Sequence, residues 1–137
     1  MTEVTPEDVA FELALLQFTY EPSSEERVNI GVVAYSPTTG EIVSRFSERY
    51  GALKVFYPSL SGSSYRSILR SLSARARTVA KTGSRGRQLA LDRPEGIDAI
   101  LQQIAPAGSM NFAWSSVRYG ICRSIRQKVD ETFGEFV

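Results

Sequence analysis

The chain contains no histidine and a single cysteine, Cys122. Without imidazole there can be no Ser-His-Asp or Cys-His nucleophile pair and no histidine-ligated metal. One cysteine makes neither an internal disulfide nor a cysteine-cluster zinc site, and it fits a reducing compartment. No apolar run approaches the roughly 20 residues that a membrane span needs. The first eight residues are acidic and lack a basic-then-apolar leader, so a cytoplasmic location is expected. Residues 49–91 contain no acidic side chain at all. Enzymatic chemistry would therefore fall to Asp, Glu, Lys, Arg, Tyr or Ser, with a carboxylate site for magnesium or manganese left open. The adjacent pairs Glu25-Glu26 and Asp130-Glu131 are no chelators, because neighbouring side chains diverge on a strand or helix. Gly83-Ser84-Arg85-Gly86-Arg87 lacks the spacing and terminal Lys-Ser/Thr of a phosphate loop. Neither cofactor nor metal is expected.

What is present is an ordinary core and an uneven charge. The 137 residues suit a single domain spanning 1–137, with 42% hydrophobic and 10% aromatic residues. A chain this long buries about two-thirds of its unfolded surface. The net charge of +1 conceals segregation, since residues 1–48 hold nine acids and two bases and residues 49–91 hold nine bases. Such a dipolar layout can steer an acidic partner to one side of the molecule. It can also be consumed internally, if the acidic and basic segments face each other.

Hydrophobic spacing predicts the elements. Residues 11–20, 27–35 and 41–47 read as three strands joined by short connections, hence an antiparallel meander. Ser36-Pro37-Thr38-Thr39-Gly40 is a turn, with Pro setting the bend and Gly closing it. Residues 48–56 read as a short helix. Tyr65, Ile68, Leu69, Leu72, Ala76 and Val79 fill one helical stripe. Residues 82–87, with Gly83 and Gly86, read as a loop. Residues 94–104 form a further helix with Asp92 as its cap, residues 110–119 a fourth strand and residues 124–137 a closing helix. The fold class expected is α+β: a small, mostly antiparallel sheet, a meander of three strands plus a later strand, with helices packed on one face.

Three groups of residues are candidates for binding. In Arg27-Val28-Asn29-Ile30-Gly31-Val32, alternation puts Val28, Ile30 and Val32 on one strand face, and Arg27, Asn29 and the bare Gly31 on the other. Side chains at i and i+2 leave a strand about 7 Å apart, so Arg27 and Asn29 could grip a carboxylate or phosphate. Asn29 also suits a structural role, satisfying nearby backbone and fixing strand register. On the central helix Arg66, Arg70, Arg77 and Lys81 fall within a stripe about 60° wide, away from the apolar one. Ser73 borders it, and Arg85 and Arg87 extend the positive surface. Phosphate-backbone binding uses such a stripe, as does docking of an acidic protein. In Trp114-Ser115-Ser116-Val117-Arg118, the four-residue interval puts Trp114 and Arg118 on one strand face, with Trp114 in the core and Arg118 near Arg27.

Phe11-Glu12-Leu13-Ala14-Leu15-Leu16, then Glu26-Arg27-Val28-Asn29-Ile30-Gly31-Val32-Val33, Arg45-Phe46 and Phe56-Tyr57-Pro58 resemble the bacterial domain-of-unknown-function family DUF3037. The resemblance covers roughly the first half of the chain and the last helix, with no counterpart for the segment around Trp114. It implies a small bacterial accessory protein, some members being encoded beside HipA-like kinases, and supplies no catalytic residue. The leading functional expectation is thus a module that binds and regulates a protein partner, with a HipA-like kinase as one candidate. The alternatives are a nucleic-acid-binding protein using the basic helix 66–87, or a histidine-free nuclease using Arg27, Asn29, Arg118 and a carboxylate.

Overall fold

The computed structural model describes residues 8–19, 27–49, 61–85, 96–105 and 111–137, with residues 82–85 described in their backbone alone. The elements run β1 (Val9–Phe18), β2 (Val28–Tyr35), β3 (Ile42–Phe46), α1 (Gly62–Arg85), α2 (Ile97–Ile104), β4 (Phe112–Trp114), β5 (Arg118–Cys122) and α3 (Ile125–Phe136). The fold is α+β and the sheet is wholly antiparallel: β3 pairs β2, β2 pairs β1, and β4 and β5 share the far edge of β1. The meander is as expected. Residues 48 and 49 are not helical, and the remainder of the expected 48–56 helix lies outside the described residues, as does the Asp92 cap.

The helices cover both faces of the sheet, not one. Ala14, Leu16, Phe18, Ile30 and Val33 pack with Tyr65, Leu69, Leu72, Ala76 and Val79 of α1 and with Ile97, Ile100, Leu101 and Ile104 of α2. Phe11, Leu13, Leu15, Val32, Ala34 and Val43 pack instead with Ile125 and Val129 of α3. The cause is visible in β1, where Leu13, Ala14, Leu15 and Leu16 are all buried. A strand apolar at consecutive positions needs cover on both sides. The amphipathic stripe of α3 supplies the second cover, at about 1.5–3 kcal/mol for each large side chain removed from water.

A β-bulge re-aims the second strand. Leu16 pairs with Gly31 while Gln17 pairs with Asn29, so Ile30 is an extra residue on β2. Ile30 therefore packs in the α1 layer and Val32 in the α3 layer. This overturns the simple alternation, which put Val28, Ile30 and Val32 on one face. Gly31 is needed here for space: a Cβ at Gly31 would stand 2.4 Å from Cδ1 of Phe46, its partner on β3.

The fourth strand is likewise two strands. Between β4 and β5, Ser115 donates its N–H to the Leu15 carbonyl at 2.9 Å, and its Oγ accepts from the Leu15 N–H at 2.8 Å. Leu16 pairs with Trp114 and Leu13 with Arg118. Three steps on β1 thus match four on the edge, and the face changes. Trp114 packs toward the α1–α2 layer, its Nε1–H donating to the Ala105 carbonyl at 3.0 Å, as a core residue should. Arg118 lies on the α3 side, so the two do not share a face.

Local chemistry sets the remaining joints. Gly40 closes the β2–β3 turn at φ 77°, donating to the Ser36 carbonyl at 2.8 Å. Gly96 precedes α2 at φ 57°, and the Glu12 carboxylate accepts from the Ile97 N–H at 3.2 Å, capping α2 from the sheet. Ser124 caps α3 through the Gln127 N–H. The α1 helix continues to Arg85, so Gly83 is helical where a loop was expected.

Candidate interaction surface

The surface is built from α1 and β3. Tyr65, fully buried in the first turn of α1, donates its hydroxyl to the Ser47 carbonyl at 2.7 Å. Burial pushes its phenol up to about 12. This bond pins the start of α1 beside the end of β3. With the apolar stripe of α1 turned inward, Arg66, Arg70, Ser73 and Arg77 fall on its outer side. They line a groove of about 620 Å³ with Ser44, Phe46, Glu48 and Leu69.

The groove is both cationic and partly apolar. Arg66 and Arg70 are exposed and have no hydrogen-bond or ion-pair partner among the described residues. Arg77 donates through Nε to the Ser73 carbonyl at 3.4 Å, an intrahelical contact, and pairs with no carboxylate among the described residues. Glu48 shares the groove without pairing with any of the three. Arg45, also on the lining, is already engaged: it reaches Asp130 at 3.2 Å and stacks on the Phe133 ring at 4.0 Å. Lys81 is exposed further along α1. The side chain of Arg85 and all of Arg87 lie outside the described residues. Arg75, on the same helix, is used structurally, donating to the Ile104 carbonyl at 3.1 Å.

The other candidates sit elsewhere. Asn29 accepts from Gln17 Nε2 at 3.3 Å and donates to the Phe136 carbonyl at 3.2 Å. It thus ties the bulge to the last turn of α3, satisfying a carbonyl that the helix end leaves open. The Arg118 guanidinium lies over the Phe136 ring at 4.5 Å. Asn29 and Arg118 therefore converge on Phe136, across the sheet from Arg66 and Arg70. Arg27 is exposed just before β2. Among the described residues no carboxylate pairs with Arg27 or Arg118, and no cluster of three metal-ligating side chains occurs. No helix among them is long and apolar enough to cross a membrane.

A family model described as "Protein of unknown function (DUF3037)" matches residues 13–137. The chain belongs to the DUF3037 family. The match runs through the Trp114 segment, beyond the parts that carried the resemblance in sequence. Comparison of this DUF3037 protein with curated proteins and with solved structures returned no match.

Sequence periodicity finds the arginines of the groove, but not its other wall. Ser44 and Glu48 carry no pattern of their own, and Phe46 is marked only by the Arg45-Phe46 step. Tyr65 reads as a core residue, which it is. Its hydroxyl bond to Ser47 emerges only when strand and helix meet.

Proposed function

We propose that this DUF3037 protein is a small cytoplasmic bacterial accessory protein that binds an acidic segment of a partner protein along the α1–β3 groove and thereby regulates that partner. The reading rests on one observation: Arg66 and Arg70 are solvent-exposed and have no partner among the described residues while lining a groove with Phe46 and Leu69. Of the acidic front of the chain, Glu12, Glu41 and Glu48 are among the described residues and pair with neither arginine. A cationic rim beside apolar side chains suits a peptide with alternating carboxylates and apolar groups, since charge gives approach and register while apolar contact gives affinity. HipA-like kinases are candidate partners through the family resemblance alone.

A salt-resolved binding measurement tests this reading. Fluorescence anisotropy of the intact chain would compare a labelled poly-glutamate peptide, single-stranded DNA and duplex DNA. The reading expects the peptide to bind at moderate salt and the nucleic acids to bind more weakly. Tighter binding of DNA, with log affinity falling steeply against log salt, would instead mark a phosphate-backbone surface.

A further inference from the structure

Among the described residues β5 is a sheet edge. It pairs with β1 on one side and has no strand partner on the other among the described residues. It also carries the two most exposed large apolar side chains described, Tyr119 at 71% and Ile121 at 56%. Two residues apart on a strand, they share a face. Their partners on β1 are Glu12 and Ala10, so this face is the α2 side, where Glu12 caps α2. The intervening residues face α3: Arg118 lies over Phe136, and a Cβ on Gly120 would stand 2.6 Å from the Phe11 ring. An edge with open backbone groups and exposed apolar side chains is a template for pairing with another strand.

We propose that β5 pairs antiparallel with β5 of a second copy of this chain, about a two-fold axis at Gly120, joining the two sheets into one. The segment Arg118-Tyr119-Gly120-Ile121-Cys122 is self-complementary in that register. Gly120 lies opposite itself, and Tyr119 lies opposite Ile121 of the partner subunit on both sides of the axis. An aromatic residue facing a β-branched one is a favourable cross-strand pair, and here it covers all four exposed apolar side chains. On the α3 side, Arg118 comes opposite Cys122 of the partner subunit. The surroundings of Cys122 carry the Asp8 and Glu131 carboxylates and one ammonium, Lys128, which stands over the Phe11 ring at 5.3 Å. With Arg123 standing 3.9 Å from Asp8, these charges balance, and the incoming guanidinium meets no net positive charge. Closed two-fold symmetry requires this kind of self-match, in which each contact occurs twice. Five paired residues form a small interface, below about 1,200 Å² in total, so the dimer is weak and concentration-dependent.

Sedimentation velocity of the intact chain from low to high micromolar concentration tests the pairing. The wild type should shift from monomer toward dimer as concentration rises. Ile121→Lys sets an ammonium against Tyr119 of the partner subunit and should weaken association roughly tenfold or more. Its circular dichroism should not change, because the position is exposed. Arg118→Cys supplies an independent readout. The introduced thiol would lie opposite Cys122 of the partner subunit, so mild oxidation should give a covalent dimer. Within one chain the two thiols would be roughly 13 Å apart and could not bridge. The wild type, with arginine opposite its cysteine, should not cross-link. A wild type that stays monomeric throughout would overturn the proposal. So would unchanged dimerisation of a folded Ile121→Lys variant, or a wild type that dimerises while Arg118→Cys fails to cross-link.

Discussion

Replacing Gly31 by alanine perturbs the joint that shapes the groove. The added methyl would stand 2.4 Å from Phe46 Cδ1, 2.9 Å from its Cε1 and 3.2 Å from the Arg45 carbonyl. Phe46 cannot simply swing away, because it is partly buried against the core that α1 completes. Overpacking of this kind costs about 1–3 kcal/mol. Alanine also reduces the freedom of the unfolded chain, which returns about 0.4–1 kcal/mol where the backbone tolerates it. The net loss expected for Gly31→Ala is therefore about 1–2 kcal/mol. A double-mutant cycle isolates the cause. In a Phe46→Ala background the ring is gone and only the Arg45 carbonyl remains close, so the same substitution should cost less than about 0.5 kcal/mol. Urea denaturation of the four proteins gives the coupling directly, provided the m-values agree. An equal cost in both backgrounds would refute the claim that Gly31 exists to admit Phe46.

Three further outcomes follow from buried or exposed backbone chemistry. The Tyr65 phenol titrates near 12 in the folded chain, against 10.0 when exposed. Between those values the unfolded chain has lost a proton that the folded chain keeps, so stability falls as pH rises from about 10 to 12, by on the order of 2–3 kcal/mol. Tyr65→Phe should remove that alkaline slope relative to wild type, while losing about 1 kcal/mol at neutral pH with the Ser47 hydrogen bond. Ser115→Ala leaves the Leu15 N–H without its acceptor and should cost about 1–3 kcal/mol in chemical denaturation. Gly134→Ala lies within α3 with nothing within 4 Å of the added methyl, and should raise stability by about 0.5–1 kcal/mol, seen as a higher Tm.

Periodicity made much of the fold legible. The stripe from Tyr65 to Val79 is the inner face of α1, and the three-strand meander follows from its short connections. Two features escaped it because they depend on an odd residue. The bulge at Ile30 and the Ser115 break each insert one position, and each reverses the face of everything beyond it. That is why Val32 parts from Ile30, and why Arg118 parts from Trp114. The one-sided helix layer failed for another reason. Leu13-Ala14-Leu15-Leu16 has no alternation, and only a central strand covered on both faces keeps such a run dry. For the candidate site, helical spacing brought Arg66, Arg70 and Arg77 together, whereas Asn29 was weighed between gripping a ligand and fixing register. Its bonds to Gln17 and Phe136 are those of the second role.

Charge reversal at two positions bears most directly on the proposed docking of an acidic segment. Arg66→Glu with Arg70→Glu changes two exposed side chains that pair with nothing described, so the melting temperature and circular dichroism should stay close to wild type. Titration calorimetry with the poly-glutamate peptide should show binding by the wild type, weakened more than about tenfold in the double variant, since each reversal replaces an attraction by a repulsion. A folded double variant that binds the peptide as well as wild type does would contradict the account.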